Sequence, residues 1–550
     1  MRKLSMHVAA FLLIAPVAFA QDFFDVVKSG TSEQVRGALS NGAKVEDRDA
    51  NGFTALMWAA MNNPNPAIIR TLLENGAKVD ARNNEGLTPL MWAAMGNPNP
   101  EIITTLLQNG ARIDDRNAGG LTPLMWAAMR NPNPGIITTL LESGANVDDR
   151  DGQGTTASMW AAIGNPNPEI IMTLLQNGAR IDDRNTGGHT ALMWAAEFNP
   201  NPGIITTLLQ NGARIDDRNT GGLTPLMGAA EFNPNPEVIT TLLDNGARVD
   251  DRDEHGTTAL MLAAMSNRNP EITTALVQNG AKVDDRDEHG TTALMWTARS
   301  NPNPAIITTL LENGATHEAS DALWVAIRSS NREVIAPFLE NGAKINYRDK
   351  DGVTPLMRAA RYNPDPEVIA ALVKSGAKVH DRSKRSWTPL MYAAEFNANP
   401  EVMTTLLENG AIVNDRDRNG FTPLMLASRG NPNPVVITTL VGSGAKADDR
   451  GKNDVTPLMW AAMRNANPDV IATLVKSGAK VDDQDASGRT ALMWAAVSNR
   501  NPEVIRALLR AGVNPKMKSN EGQTALDYAA YNRRLRGSDA FAELRSGQRP

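Results

Sequence analysis

A glycine ends a leucine- or valine-rich phrase, LLENG, LLQNG or LVKSG, with a fixed spacing along this chain. It falls at Gly42, Gly76, Gly110, Gly144, Gly178, Gly212, Gly246, Gly280 and Gly314, each 34 residues after the last. The spacing drops to 28 at Gly342 and then returns to 34 through Gly376, Gly410, Gly444, Gly478 and Gly512. Random low-complexity sequence does not hold such a register. The period requires a chain of like repeats, each burying its apolar face against its neighbours. Composition agrees, because 41% hydrophobic residues are too many for a disordered chain. With aromatics at only 5%, many small cores fit better than one large core.

One repeat can be read residue by residue. In GLTPLMWAAMRN, Gly120 to Asn131, Thr122 is placed as an N-cap and Pro123 where a helix tolerates proline. LMWAAM is a strong helix former, and the helix is expected to end before Asn131. NPNP then forces a turn, since residues before proline avoid the helical region. Pro134 fits the first turn of a second helix, along which Ile136, Ile137, Leu140 and Leu141 recur at helical spacing. Gly144 supplies the left-handed position after that helix, and the polar ANVDDRDGQG is expected to project as a finger.

Taken together, GxTPLMWAA…NPEIITTLLxNGAxVDDRD resembles the ankyrin repeat, over about residues 22 to 545. Two departures are systematic. Methionine replaces the usual histidine after TPL, at Met57, Met91, Met125, Met193 and Met227, and NPNP replaces the usual GH turn. The resemblance implies an all-α solenoid of stacked ankyrin repeats, each a helix-turn-helix with a projecting finger loop, in a curved elongated superhelix. The expected organisation is a signal peptide over 1–20 and an N-terminal capping repeat over 21–51. A first array of repeats follows over 52–319, then a shortened irregular region over 320–351. A second array over 352–521 leads to a C-terminal capping repeat and tail over 522–550. The shortened repeat has lost finger residues but keeps two helical phrases, so stacking is expected to continue across it.

Arg2 and Lys3, a short apolar run, and Ala18-Phe19-Ala20 before Gln21 match a secretory signal. The run is too short and proline-interrupted for a good membrane span, so none is expected after signal removal. A periplasmic or secreted location follows. The chain has no cysteine, which excludes disulfides, thiolate metal sites and a thiol nucleophile. A net charge of -6 over 550 residues gives no nucleic-acid signal.

No catalytic, phosphate-loop or zinc motif is present, so no enzyme activity, cofactor or metal is expected. His189, His255, His289, His317 and His380 are the histidines beyond the signal; His255 and His289, at adjacent finger tips, read as solvated turn residues. Arginine recurs in the fingers at Arg48, Arg82, Arg116, Arg150, Arg184, Arg218, Arg252 and Arg286, then at Arg348, Arg382, Arg416 and Arg450, accompanied by aspartates. That stripe is expected to form an Asp–Arg lattice between fingers, with aspartates capping turn amides. The tryptophans Trp58, Trp92, Trp126, Trp160 and Trp194 are expected to pack between repeats.

The ankyrin resemblance implies that finger tips and the two residues after the paired alanines line a concave face. At those two positions stand Glu197-Phe198, Glu231-Phe232, Arg361-Tyr362 and Glu395-Phe396. Glu197, Phe198, Glu231, Phe232, Tyr362, Glu395 and Phe396 are therefore the candidate binding residues, aromatic anchors with charges to orient a partner. The reading is an exported, monomeric, non-enzymatic scaffold for a protein or peptide. A solenoid binding a carbohydrate or peptidoglycan polymer is the alternative, and an enzyme without a recognisable motif is weaker.

Overall fold

The computed structural model describes residues 20–550 apart from 316–318, 329–331, 342, 533–534, 536–537 and 548–550. Residues 1–19, on which nearly all of the expected signal peptide 1–20 falls, His317 and the register glycine Gly342 lie outside the described residues. Thirty-two α-helices, and no strand, are found among the described residues. A single antiparallel bridge joins Arg252 to Thr258 across a finger.

The helices come in pairs, as the 34-residue period predicts, and like helices of successive repeats pack together. The chain divides into two compact units between Gly290 and Thr291, and each is a stack of such pairs. The repeat spanning Gly120 to Gly144 shows the local chemistry. Its first helix runs Pro123–Arg130 and its second Pro134–Glu142. Thr122 Oγ1 accepts from Met125 N at 3.4 Å, capping the first helix, and proline stands first in both. Gly144 has φ +96°, the left-handed turn that only glycine enters at little cost.

Packing follows from these positions. Met57, Met91, Met125, Met193, Met227 and Met261 are at most 1% exposed, so methionine fills the seam that the family usually gives to histidine. In the second helices Ile68, Ile69 and Leu72, and their counterparts in every later repeat, are buried. Each such side chain contributes about 1.5–3 kcal/mol, several per repeat, and this term dominates the stack.

The asparagine of each NPNP turn is a structural bond donor as well as a turn former. Asn97 is fully buried, and its Nδ2 donates to Ala60 O at 2.8 Å and Asn63 O at 2.9 Å in the preceding repeat. Its Oδ1 accepts from Asn99 N at 3.0 Å. Asn99 in turn caps the second helix through Glu101 N and donates to Pro64 O. Asn131, Asn165, Asn199 and Asn233 repeat the pattern in the first unit, and Asn397, Asn431, Asn465 and Asn499 in the second. A buried asparagine ladder thus stitches repeat to repeat.

The fingers carry a second, exposed lattice. Arg116 Nη1 donates to Gly120 O of its own finger at 2.9 Å and to Arg150 O of the next at 2.7 Å, while Nη2 meets Asp149 at 2.9 Å. Finger aspartates also cap turn amides: Asp49 Oδ1 accepts from Asn51 N and Phe53 N. Ion pairs this exposed are worth about 0.2–1 kcal/mol each, so the lattice aligns fingers more than it stabilises the stack.

The shortened repeat, inside the second unit, keeps both helices, Ala319–Ala326 and Arg332–Glu340. Asn363 Nδ2 still reaches back to Ile327 O at 2.8 Å, so the ladder continues beyond it.

Candidate functional site

The four candidate rings lie at the last residue of a first helix, where the helix leaves the packed seam for the surface. Phe198 ends Ala191–Phe198, Phe232 ends Pro225–Phe232, Tyr362 ends Pro355–Tyr362 and Phe396 ends Pro389–Phe396. They are 43, 47, 48 and 45% exposed, which for large rings in a packed protein is unusually high. Met172, Ile412 and Val435 are exposed at other places in the repeat, while Val497 and Tyr531 are exposed directly after paired alanines.

In the first unit the rings form a row. His189 stacks on Trp194 at 4.6 Å, Trp194 on Phe198 at 5.6 Å, and Phe198 on Phe232 at 6.0 Å with 20° between planes. An open hollow of about 560 Å³ beside Phe232 is lined by Glu231, Pro234, Ser266 and Arg268. Glu197 faces inward. It is buried, with Oε1 3.4 Å from His189 Nε2. Gly228 makes this fit, because it stands where the neighbouring repeat has Trp194, and a Cβ there would come within 2.6 Å of Glu197 Cγ. Asn219 Oδ1 is held by Gly221 N and Leu223 N, so its Nδ2 points at His189 Nε2, 3.0 Å away. Facing that N–H, the Nε2 atom accepts, while Nδ1 is buried without a hydrogen-bond partner. Unlike the turn histidines His255 and His289, which are exposed, His189 is part of the packing. At His255 the hydrogen bond and charge of Glu288, 2.8 Å away, raise the ring's pKa.

In the second unit guanidinium groups interleave the rings. Arg361 lies 4.1 Å from the Phe396 centroid and 4.8 Å from that of Tyr362. Arg358 covers Trp324 at 4.6 Å, and Arg328 lies 5.6 Å from Tyr362. Burial lowers the pKa of Arg358, the charges of Arg328 and Arg361 adding in the same direction against Tyr362 and Asp349. Glu395 is also buried, and both its oxygens accept from Arg429 Nη2 at 2.7 Å. A glycine again clears the space, since a Cβ on Gly430 would lie 2.8 Å from Glu395 Cγ. Glu197 and Glu395 thus point their carboxylates at their own protein, while Phe198, Phe232, Tyr362 and Phe396 remain outward. Sequence reasoning placed Arg361 on this face but missed Arg328 and Arg358. The signal was there in Arg358, which stands where other repeats carry tryptophan.

The tryptophans are half-buried between repeats, with Trp194 buried. Their indole N–H follows a rule set nine residues earlier. Trp58, Trp160 and Trp494 donate to Asp49, Asp151 and Asp485 at 3.1–3.2 Å. Where asparagine takes that place, at Asn83, Asn117 and Asn185, the N–H of Trp92, Trp126 and Trp194 is buried without a partner.

The helix pairs, fingers and exposed first-helix ends agree with a comparison of the chain to known families. The family described as ankyrin repeats (3 copies) matches residues 23–117, 124–219, 226–321, 298–383, 356–450, 428–519 and 458–544. The chain belongs to the ankyrin repeat family. No curated protein matches it. Ankyrin repeats are in general non-catalytic and support protein binding. Among the described residues, no group of three His, Cys, Asp or Glu side chains is placed to hold a metal ion, and no helix is long and apolar enough to cross a membrane.

Proposed function

We propose that this ankyrin-repeat protein is an exported, non-enzymatic scaffold that binds a protein or peptide through the first-helix ends that carry Phe198 and Phe232 in the first unit and Tyr362 and Phe396 in the second. The carrying observation is that these rings keep nearly half their surface in water at one repeated place, while the alanine, methionine and asparagine positions around them are buried. Half-exposed aromatic rings on a rigid frame lose little entropy on binding and give much contact area, which is why such residues dominate interfaces. Export rests on Arg2, Lys3 and Ala18-Phe19-Ala20 in the sequence.

The test uses the full chain and two double variants, Phe198→Ala with Phe232→Ala, and Tyr362→Ala with Phe396→Ala. A partner captured from envelope extract is purified and titrated by calorimetry, beside a thermal melt of each variant. At least one pair is expected to weaken binding tenfold or more with its melt nearly unchanged. Retention on cell-wall polymer alone, or binding indifferent to all four rings, overturns the reading.

A further inference from the structure

Arg328, Arg358 and Arg361 are three neighbouring cations, each with N–H donors only, set among aromatic rings. Within 4 Å of any of the three, no carboxylate forms an ion pair among the described residues, whereas most arginines of the finger stripe have an aspartate. Asp349, the acid whose charge reaches Arg358, accepts from Asp351 N and Val353 N through Oδ1 and makes no ion pair with Arg358 within 4 Å. The Nε atoms of Arg358 and Arg361 are shielded from solvent and have no hydrogen-bond partner. The guanidinium carbons lie over the rings of Trp324, Tyr362 and Phe396, a cation–ring contact that does not use up the hydrogen-bonding capacity of the terminal nitrogens.

Arg429 shows what such a group accepts. It lies 5.0 Å from the Phe421 centroid, as Arg361 lies over Phe396, and the Glu395 carboxylate closes on it. At Arg361 and Arg328 the ring platform is present and the carboxylate is missing. We infer that Arg328, Arg358 and Arg361 bind an acidic peptide segment whose carboxylates take the place that Glu395 takes at Arg429.

The spacing specifies that segment. Asn97 bonds to Ala60 O in an ordinary repeat, and Asn363 bonds to Ile327 O, so Ile327 stands at the second alanine. Arg328 and Arg361 then hold the same position in successive repeats, roughly 8–10 Å apart by helix packing. An extended polyproline-like chain advances about 3.1 Å per residue, so acids three residues apart span about 9 Å. A long polyanion suits the protein less, because the whole chain carries -6 and repels it at a distance.

This inference rests on reading Tyr362 and Phe396 as a contact surface, and its test separates the two. The probe is a fluorescein-labelled twelve-residue peptide with glutamate at every third position, measured by anisotropy against the full chain. The matched glutamine peptide, phosphatidylglycerol vesicles and a twelve-residue oligothymidylate are the comparisons. The glutamate peptide is expected to bind at least tenfold tighter than all three, with an affinity that falls as salt rises. Arg328→Gln with Arg361→Gln is expected to abolish that tenfold preference at an unchanged melt, and Arg361→Lys to retain part of it. Phe198→Ala with Phe232→Ala is expected to leave it intact. Equal binding of the two peptides, no effect of the arginine variant, or tighter binding to vesicles or oligothymidylate overturns the inference. If the arginine variant still binds a captured partner that the ring variants lose, the scaffold reading stands and this one fails.

Discussion

Phe198 and Phe232 in the first unit and Tyr362 and Phe396 in the second occupy one place in the repeat, yet their surroundings differ. The first pair stacks ring on ring beside a histidine and a tryptophan. In the second pair Arg361 lies between Tyr362 and Phe396, and among the described residues it makes no ion pair within 4 Å. The frames beneath are alike: capping threonine, buried methionine, paired alanines and ladder asparagine in both. The difference turns on single residues: Arg361 stands before Tyr362 where Glu231 stands before Phe232, and where other repeats carry tryptophan the two units have Gly228 and Arg358. A repeat protein can therefore alter its contact chemistry without altering its stack.

The largest expected effect tests whether the frames are equivalent. Asn233→Ala strips Ala196 O, Asn199 O and Asn235 N of their partner, and Asn431→Ala does the same to Ala394 O, Asn397 O and Asn433 N. A buried polar group left unpaired costs about 1–3 kcal/mol, so each variant should lose roughly 3 kcal/mol or more locally. Hydrogen exchange of the flanking helices is the appropriate measurement, because a long stack need not unfold as one. Unequal losses in the two units would break the premise of a shared frame.

The next effect sharpens the contrast. Glu395→Gln leaves the Arg429 guanidinium without its carboxylate. Breaking a buried pair costs about 3–5 kcal/mol, and the partial exposure of Arg429 reduces this to about 1–3 kcal/mol. Glu197→Gln should cost less than about 1 kcal/mol, since the only ring nitrogen near it, 3.4 Å away, accepts rather than donates. Urea titration of both variants measures the difference. If Glu197→Gln proves the costlier, the picture of a ring-stacked first strip and an arginine-laced second one is wrong.

Much of this architecture was legible in the sequence, and the limits have physical causes. Thr122, Pro123, Pro134 and Gly144 act within a few residues of themselves, so cap, helix start and left-handed turn follow from local rules. The Arg–Asp lattice was legible because both partners recur in most fingers. Asn97 was readable only as a turn former, since its other bonds run to the preceding repeat and depend on how the repeats stack. The inward turn of Glu197 and Glu395 depends on a glycine in the following repeat, Gly228 or Gly430, whose meaning appears only once the stack is in register. Exposure of the four rings was expected from their place after the paired alanines; the cations around Tyr362 had to be seen in space.

The smallest effect concerns the indole rule, and it compares the units once more. Asp151 caps two finger amides through Oδ1 and takes the Trp160 N–H through Oδ2 at 3.1 Å. Asn83 makes the same amide bonds, but its Nδ2 is a donor, and Trp92 Nε1 is left buried and unpaired. Asn83→Asp keeps the turn and supplies the missing acceptor, so it should stabilise by about 0.5–1.5 kcal/mol, the usual net value of a hydrogen bond, less the cost of burying a charge. Asp151→Asn should lose a similar amount. In the second unit Asp485 holds Trp494 at the same 3.1 Å but also pairs with Arg489 at 3.2 Å, whose guanidinium lies 3.9 Å from the Trp494 ring centroid. Asp485→Asn should therefore lose more than Asp151→Asn, as it gives up an ion pair together with the indole bond. Denaturant melts followed by tryptophan emission read both changes directly. If the two losses prove equal, arginine adds nothing to a ring contact here, and the weight given to guanidinium groups around Tyr362 and Phe396 falls with it.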